Sequence, residues 1–242
     1  TCRQAPILTF ATSHPYNDLV ARITRVVPAI LTSEPEALHR MIRQAEDFTS
    51  YVQFDIMDGH FVPTYSITDK ALANVTIKFK WEAHLMVEHP ANYLVNFKKL
   101  GASKVIFHYE SSPSPEEIIS LARQLSIEVG LAINPTTPIS AILPLVETVD
   151  SLLFMTVQPG FYGSKFQSQV IDKIAEFRRL HPMFEIGVDG GINETNVALI
   201  ANSGVNDICV GSAIFLQPSP SESYRRLLTL TEEASQGQTK SW

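Results

Sequence analysis

From residue 26 onward, short β-rich apolar runs alternate with longer segments of helical periodicity, and this alternation constrains the fold more than any other feature. Eight such runs stand near Val26–Leu31, Tyr51–Asp55, Trp81–Met86, Lys104–His108, Glu128–Ile133, Ser151–Thr156, Glu185–Asp189 and Asp207–Val210. Consecutive parallel strands need a crossover connection, usually a helix, so the pattern implies βα units and a parallel sheet. The runs are apolar on both faces, as suits strands covered on both sides. Eight units in 242 residues predict a single (β/α)8 TIM barrel, for which about 250 residues is typical. A doubly wound open sheet is the competitor. It would place a glycine-rich dinucleotide loop after the first strand, where Leu31-Thr32-Ser33-Glu34-Pro35 stands instead. The expected organisation is an extension over residues 1–25, a barrel over 26–235 and a tail over 236–242.

The helices between the runs have recognisable ends. Ser33 with Glu36 three residues later has the pattern of a capping box, followed by an apolar stripe of Leu38, Met41, Ile42 and Ala45. Pro90 suits a first helical position, Leu94 and Phe97 an inward face, and Gly101 a left-handed exit. Asn193 is placed to cap a helix carrying Val197, Ile200 and Ala201, which Gly204 ends.

Charge and cysteine content narrow the class of partner. A net charge of −6 supplies no basic field to attract nucleic acid or an anionic membrane, so an anionic substrate needs a local site. Two cysteines, Cys2 and Cys209, are too few for a disulfide framework and fit a reducing, cytoplasmic setting. No apolar run reaches the roughly 18 residues of a membrane span, and residues 1–25 lack the pattern of a signal peptide.

In a barrel, function belongs at the carboxyl ends of the strands, and there the polar residues gather. Asp55 ends the second run and Asp189 the seventh, so both carboxylates face one mouth. One ionised and one protonated carboxyl on opposite sides of a substrate can remove a proton beside a carbonyl and return it to the other face. Taken singly, each aspartate is also a good turn residue, beside Gly190-Gly191 or near Gly59. His84 ends the third run and could join the aspartates around a divalent metal; His108 ends the fourth. Met57, Met86 and Met155 follow or end three strands, a spacing that fits a soft apolar wall or ordinary core filling. Glycine-bearing loops follow strands six (Gly160, Gly163), seven (Gly190-Gly191) and eight (Gly211-Ser212), where barrels often hold a phosphate.

The segments Pro28-Ala29-Ile30-Leu31, Asp55-Ile56-Met57-Asp58-Gly59-His60-Phe61-Val62-Pro63, His84-Leu85-Met86-Val87, Asn134-Pro135, Pro159-Gly160-Phe161 and Val188-Asp189-Gly190-Gly191 stand in this order. In them the chain resembles the ribulose-phosphate 3-epimerase family over roughly residues 26–230. The resemblance implies a phosphate-binding barrel that inverts C3 of a pentulose 5-phosphate, with family members assembling as homo-oligomers. It implies Asp55 and Asp189 as acid and base, and these two with His84 as ligands of a divalent metal (zinc, manganese, magnesium or iron). Met57, Met86 and Met155 then face the enediolate, Gly160, Gly163, Gly191, Gly211 and Ser212 contribute to phosphate binding, and Asn134 supports the rim. Two positions depart from the family pattern. Thr32 replaces a serine and keeps a hydroxyl, whereas Gln53 replaces a histidine ligand. An amide oxygen is a weaker ligand than imidazole, so Gln53 is expected to loosen zinc and favour magnesium or manganese. Two other readings are a phosphosugar-binding barrel without catalysis or metal, and a sugar-phosphate lyase or decarboxylase. The lyase relatives carry a lysine two residues after the first aspartate, where this chain has Met57.

Overall fold

Eight strands form in the expected places: β1 (Arg25–Ile30), β2 (Tyr51–Met57), β3 (Lys80–Met86), β4 (Lys104–His108), β5 (Glu128–Ile133), β6 (Ser151–Met155), β7 (Glu185–Asp189) and β8 (Asp207–Val210). They pair in chain order, all parallel, and β1 pairs with β8 to close the barrel. This is a computed structural model that describes residues 24–160 and 164–238. Gly163, Cys2 and the extension before residue 24 lie outside the described residues. β1 begins at Arg25, inside the stretch expected to be extension, and Gln236, expected in the tail, belongs to the last helix.

The strands have two different faces, which a reading of them as apolar throughout does not capture. Val52, Phe54 and Ile56 of β2, Trp81, Ala83 and Leu85 of β3, and Val105 and Phe107 of β4 point outward into the large core shared with the helices. The alternate positions point inward. At mid-height, Val27, Ala29, Ile106, Ala132, Leu153, Met155 and Cys209 form a separate small apolar cluster.

Below that cluster the barrel interior is charged. Lys104, 3% exposed, pairs with Glu82 Oε2 at 3.0 Å and with Glu185 Oε1 at 3.0 Å. Tyr51 Oη donates to Glu82 Oε2 at 2.8 Å, and Arg25 binds Asp207 through two nitrogens. Buried ions such as Glu82, Lys104 and Asp207 are tolerable only while each keeps its partner.

The covering helices are α1 (Pro35–Glu46), α2 (Asp69–Leu72), α3 (Ala91–Lys99), α4 (Pro115–Gln124), α5 (Gln169–Leu180), α6 (Val197–Asn202), α7 (Ser212–Phe215) and α8 (Pro220–Gln238). The expected stripe of α1 is buried at all four positions. The capping box does not form: Glu34 is the N-cap, and its N–H is taken by Thr32 Oγ1 at 3.1 Å, so the turn closes on threonine rather than on Ser33. Gly101 adopts the expected left-handed exit at φ +92°. Asn193 does not cap its helix: α6 begins after Asn196, its N-cap, and Asn193 Oδ1 accepts the Thr195 N–H at 2.9 Å in the turn before it. No α-helix follows β5; two short 3-10 turns, Ile139–Ala141 and Leu143–Thr148, cover it instead. Pro135, Pro138 and Pro144 each lack the N–H that a longer helix needs. Among the described residues no helix is long and apolar enough to cross a membrane.

Because Glu82 is 1% exposed, its charge depends on Lys104. Lys104→Met is expected to cost about 3–5 kcal/mol by leaving that carboxylate unpaired. Adding Glu82→Gln should recover most of the loss; urea unfolding of both variants checks this.

Candidate active site

β2 turns Gln53, Asp55 and Met57 into the barrel because they alternate with the outward Val52, Phe54 and Ile56. The neighbouring register sets Asp55 beside His84 and Met57 beside Met86, while on the far side Met155 stands beside Asp189. Local hydrogen bonds stiffen both strand ends. Ser66 Oγ donates to the Asp55 carbonyl at 2.7 Å and accepts the Met57 N–H at 2.9 Å. Thr156 donates its backbone N–H to the Asp189 carbonyl at 2.7 Å, and its hydroxyl donates there as well at 3.0 Å.

The two aspartates meet over one amide and one imidazole. Gln53 Nε2 donates to Asp55 Oδ1 at 2.9 Å and to Asp189 Oδ2 at 2.8 Å. His84 Nδ1 lies 3.0 Å from Asp55 Oδ1 and 3.4 Å from Asp189 Oδ2. Ionised carboxylates only accept, so the amide must turn its nitrogen toward them. Its oxygen, expected to face a metal, accepts instead from Cys209 Sγ at 3.2 Å. Burial, then the charge of Asp189, pushes Asp55 up to about 6. Burial alone would lower His84, but its bonds to Asp189 and Asp55 outweigh that and raise it to about 9. The cluster is therefore arranged to share few protons among close carboxylates.

These residues fit a divalent cation. Donors held about 2.1 Å from one tetrahedral ion sit roughly 3.4 Å apart. One ligand atom each from Asp55, His84 and Asp189 lies within 4.8 Å of the others, so the three could hold a metal ion together. Gln53 stands at a fourth corner but presents N–H rather than a lone pair, so in this arrangement it is not a ligand.

A cavity opens above the cluster, lined by Asp55, Asp189, Met57, Met86 and Met155 together with Ala29, Leu31, Val157, Ile192 and Cys209. Its far wall contains Gly160, Ser164, Gly190, Gly191, Gly211 and Ser212, so three of the glycine loops converge on it. Thr32 does not line it; its hydroxyl serves the entry to α1. Asn134 does not line it either. The Asn134 N–H goes to Glu110 Oε1 at 2.8 Å, and its side-chain oxygen is buried without a hydrogen bond.

Sequence reasoning left three residues out of the site. Cys209, counted in the sequence only as one of two cysteines, lines the cavity and donates to Gln53 Oε1 at 3.2 Å. His108 was noted as a strand end, yet its Nε2 lies 3.0 Å from His84 Nε2; burial, with the charge of His84, pushes it down to about 4. Glu110 lies next to it, Oε2 3.5 Å from His108 Nδ1. Burial would raise Glu110, but His108, Thr137 and the Asn134 N–H hold it below the usual carboxylate range. The missed signal was a period of two: Gln53, Asp55; Glu82, His84; and Lys104, His108 lie at even spacing along their strands.

A family model described as the ribulose-phosphate 3 epimerase family matches residues 25–215. The ribulose-phosphate 3-epimerase of Schizosaccharomyces pombe is 34% identical over 227 residues, covering 90% of this chain and 97% of that one. The ribulose-phosphate 3-epimerase of Bacillus subtilis is 35% identical over 80% of this chain and 93% of its own. Among solved structures, the 3-hexulose-6-phosphate synthase of Salmonella typhimurium superposes with a TM-score of 0.65 over 87% of this chain and 100% of that one; at 18% identity it shows the fold alone.

Gly190 tests how tightly the cavity wall is built. Its φ is +115°, and an added Cβ would sit 2.5 Å from Val157 Cγ2 and 3.0 Å from Val157 N. Gly190→Ala is expected to cost about 1–3 kcal/mol in thermal or urea unfolding. The same substitution should raise KM more than it lowers kcat.

Proposed function

The chain belongs to the ribulose-phosphate 3-epimerase family and is a carbohydrate isomerase, and we propose that it inverts C3 of a ketose phosphate with Asp55 and Asp189 as the proton-transfer pair. Ribulose 5-phosphate or a close relative is the substrate in this reading. The observation that carries it is the shared fastening of two carboxylates from strands with two others between them in the barrel, Asp55 on β2 and Asp189 on β7, to Gln53 Nε2 and His84 Nδ1.

Each aspartate uses one oxygen for that fastening, Oδ1 of Asp55 and Oδ2 of Asp189, and keeps the other for substrate. The ionised member takes the C3 proton, giving an enediolate, and the protonated member delivers one to the opposite face. Asp55, raised by burial and by its neighbour's charge, suits the protonated role when Asp189 is ionised. In the reverse direction the roles exchange. Met57, Met86 and Met155 wall the reacting carbon with polarisable, water-excluding groups, which shields the enediolate from direct contact with water. The backbone around Gly160, Gly191, Gly211 and Ser212 is open to close approach by the substrate phosphate. A divalent cation held by Asp55, His84 and Asp189 would supply electrostatic stabilisation of the oxygens on which charge develops. Gln53 holds the carboxylates in place by hydrogen bonds.

In deuterated water, the protein should introduce deuterium at C3 of ribulose 5-phosphate as it forms the epimer. Asp55→Asn and Asp189→Asn should each lower kcat by about 10²–10⁴-fold with the fold intact. Binding without deuterium exchange would instead identify a phosphosugar-binding barrel. Gln53→His supplies an imidazole at the fourth corner, so chelator competition should show tighter zinc binding than in the unsubstituted protein; equal affinity would oppose a three-ligand site.

A further inference from the structure

His108 and Glu110 extend the hydrogen-bonded cluster away from the cavity. Both histidine rings are fully buried, and their Nε2 atoms are 3.0 Å apart. The ring centres are 5.1 Å apart with 24° between the planes. The centres are thus farther apart than the nitrogens by about one ring width, so the rings meet tip to tip, in line for an N–H···N bond. Such a contact holds one proton. Two would collide, and none would set two lone pairs against each other.

The other end of the chain decides which ring supplies that proton. His108 Nδ1 is buried and makes no hydrogen bond within normal range; the polar atom it faces is Glu110 Oε2 at 3.5 Å. Glu110 is itself anchored by its other oxygen, which accepts the Asn134 N–H at 2.8 Å and the Thr137 hydroxyl. A carboxylate cannot donate, so the nitrogen that faces it carries hydrogen. His108 Nε2 is then the lone pair, and the proton between the rings belongs to His84.

We infer that Glu110 is a positioning residue which, acting through His108, fixes a proton on His84 Nε2 and so reserves His84 Nδ1 for the Asp55–Asp189 cluster. With a cation present, Nδ1 offers its lone pair without moving any other proton. Without one, Nδ1 carries a proton toward the two carboxylates. The Nε2 proton is the same in both states, and a carboxylate behind a histidine commonly tunes a site this way. The role given to Nδ1 rests on the proposed working cluster of Asp55, His84 and Asp189.

Nitrogen-15 NMR of the metal-free protein, with labelled histidine rings, reads the tautomers directly. The expected spectrum has His108 protonated at Nδ1 and unprotonated at Nε2, with His84 protonated at Nε2. Glu110→Gln, whose amide can also donate, should mix the His108 tautomers and weaken zinc binding about 10–100-fold in chelator competition. Thr137→Val removes the loop contact while leaving Oε2 in place, and should keep both the tautomers and the affinity. An unprotonated His108 Nδ1 in the unsubstituted protein would overturn the inference. So would Glu110→Gln with unchanged tautomers, or equal losses in Glu110→Gln and Thr137→Val, which would make Glu110 a loop anchor. None of these readouts requires turnover. Absence of C3 deuterium exchange with the tautomer pattern intact would therefore retire the epimerase reading and leave this one standing.

Discussion

Pairing of β1 with β8 is the contact on which the rest of this molecule depends. It runs from Arg25 opposite Asp207 to Pro28 opposite Val210, and the Arg25 guanidinium binds the Asp207 carboxylate through two nitrogens at its lower end. Gln53 and Asp189 are 136 residues apart in the chain, and β1 and β8 are the strands that stand between β2 and β7. Only with that seam closed do the aspartates of β2 and β7 share a mouth. The seam is also thin at the right height. Ala29, opposite Gln53, and Cys209, opposite Asp189, are small inward residues over which the glutamine side chain reaches across two strands.

Charge inside the barrel is sorted into two layers. Lys104, Glu82, Glu185, Arg25 and Asp207 pair with one another at the amino ends of the strands. Asp55, Asp189 and His84 balance one another at the carboxyl ends. The apolar layer of Val27, Ile106, Leu153 and their neighbours separates them. In a low-dielectric interior an unpaired ion is costly, so each layer must be close to neutral by itself. The lower layer is fully paired and serves stability. The upper layer keeps one oxygen of each aspartate out of the fastening and can therefore do chemistry.

Much of this was legible in the chain. Strand positions, the strand-end places of Asp55, His84 and Asp189, and the glycine loops after strands six, seven and eight follow from residues near one another in sequence, and eight βα units imply the barrel that brings them together. The Ser33–Glu36 box does not form because α1 starts after Glu34, its N-cap, and the segment after β5 is broken by three prolines. His108 and Cys209 looked like ordinary strand residues because their partners, Glu110 and Gln53, become visible only once side-chain direction is known. The orientation of Gln53 was the largest reversal. Glutamine has both a donor and an acceptor end, and its identity does not say which end faces the cluster.

By itself, then, the sequence determined the architecture and which strand ends carry the aspartates and His84: periodicity selects strand or helix, and a strand end selects the rim. Tertiary structure alone decided how those groups use one another. Closure brought five strands' side chains within hydrogen-bond range, and the acceptor-only carboxylates turned the Gln53 amide nitrogen inward. The Glu110 carboxylate behind His108 set the proton polarity that reaches His84. Hydrogen-bond direction depends on which atoms face each other across the barrel, a relation that spacing along one chain does not contain.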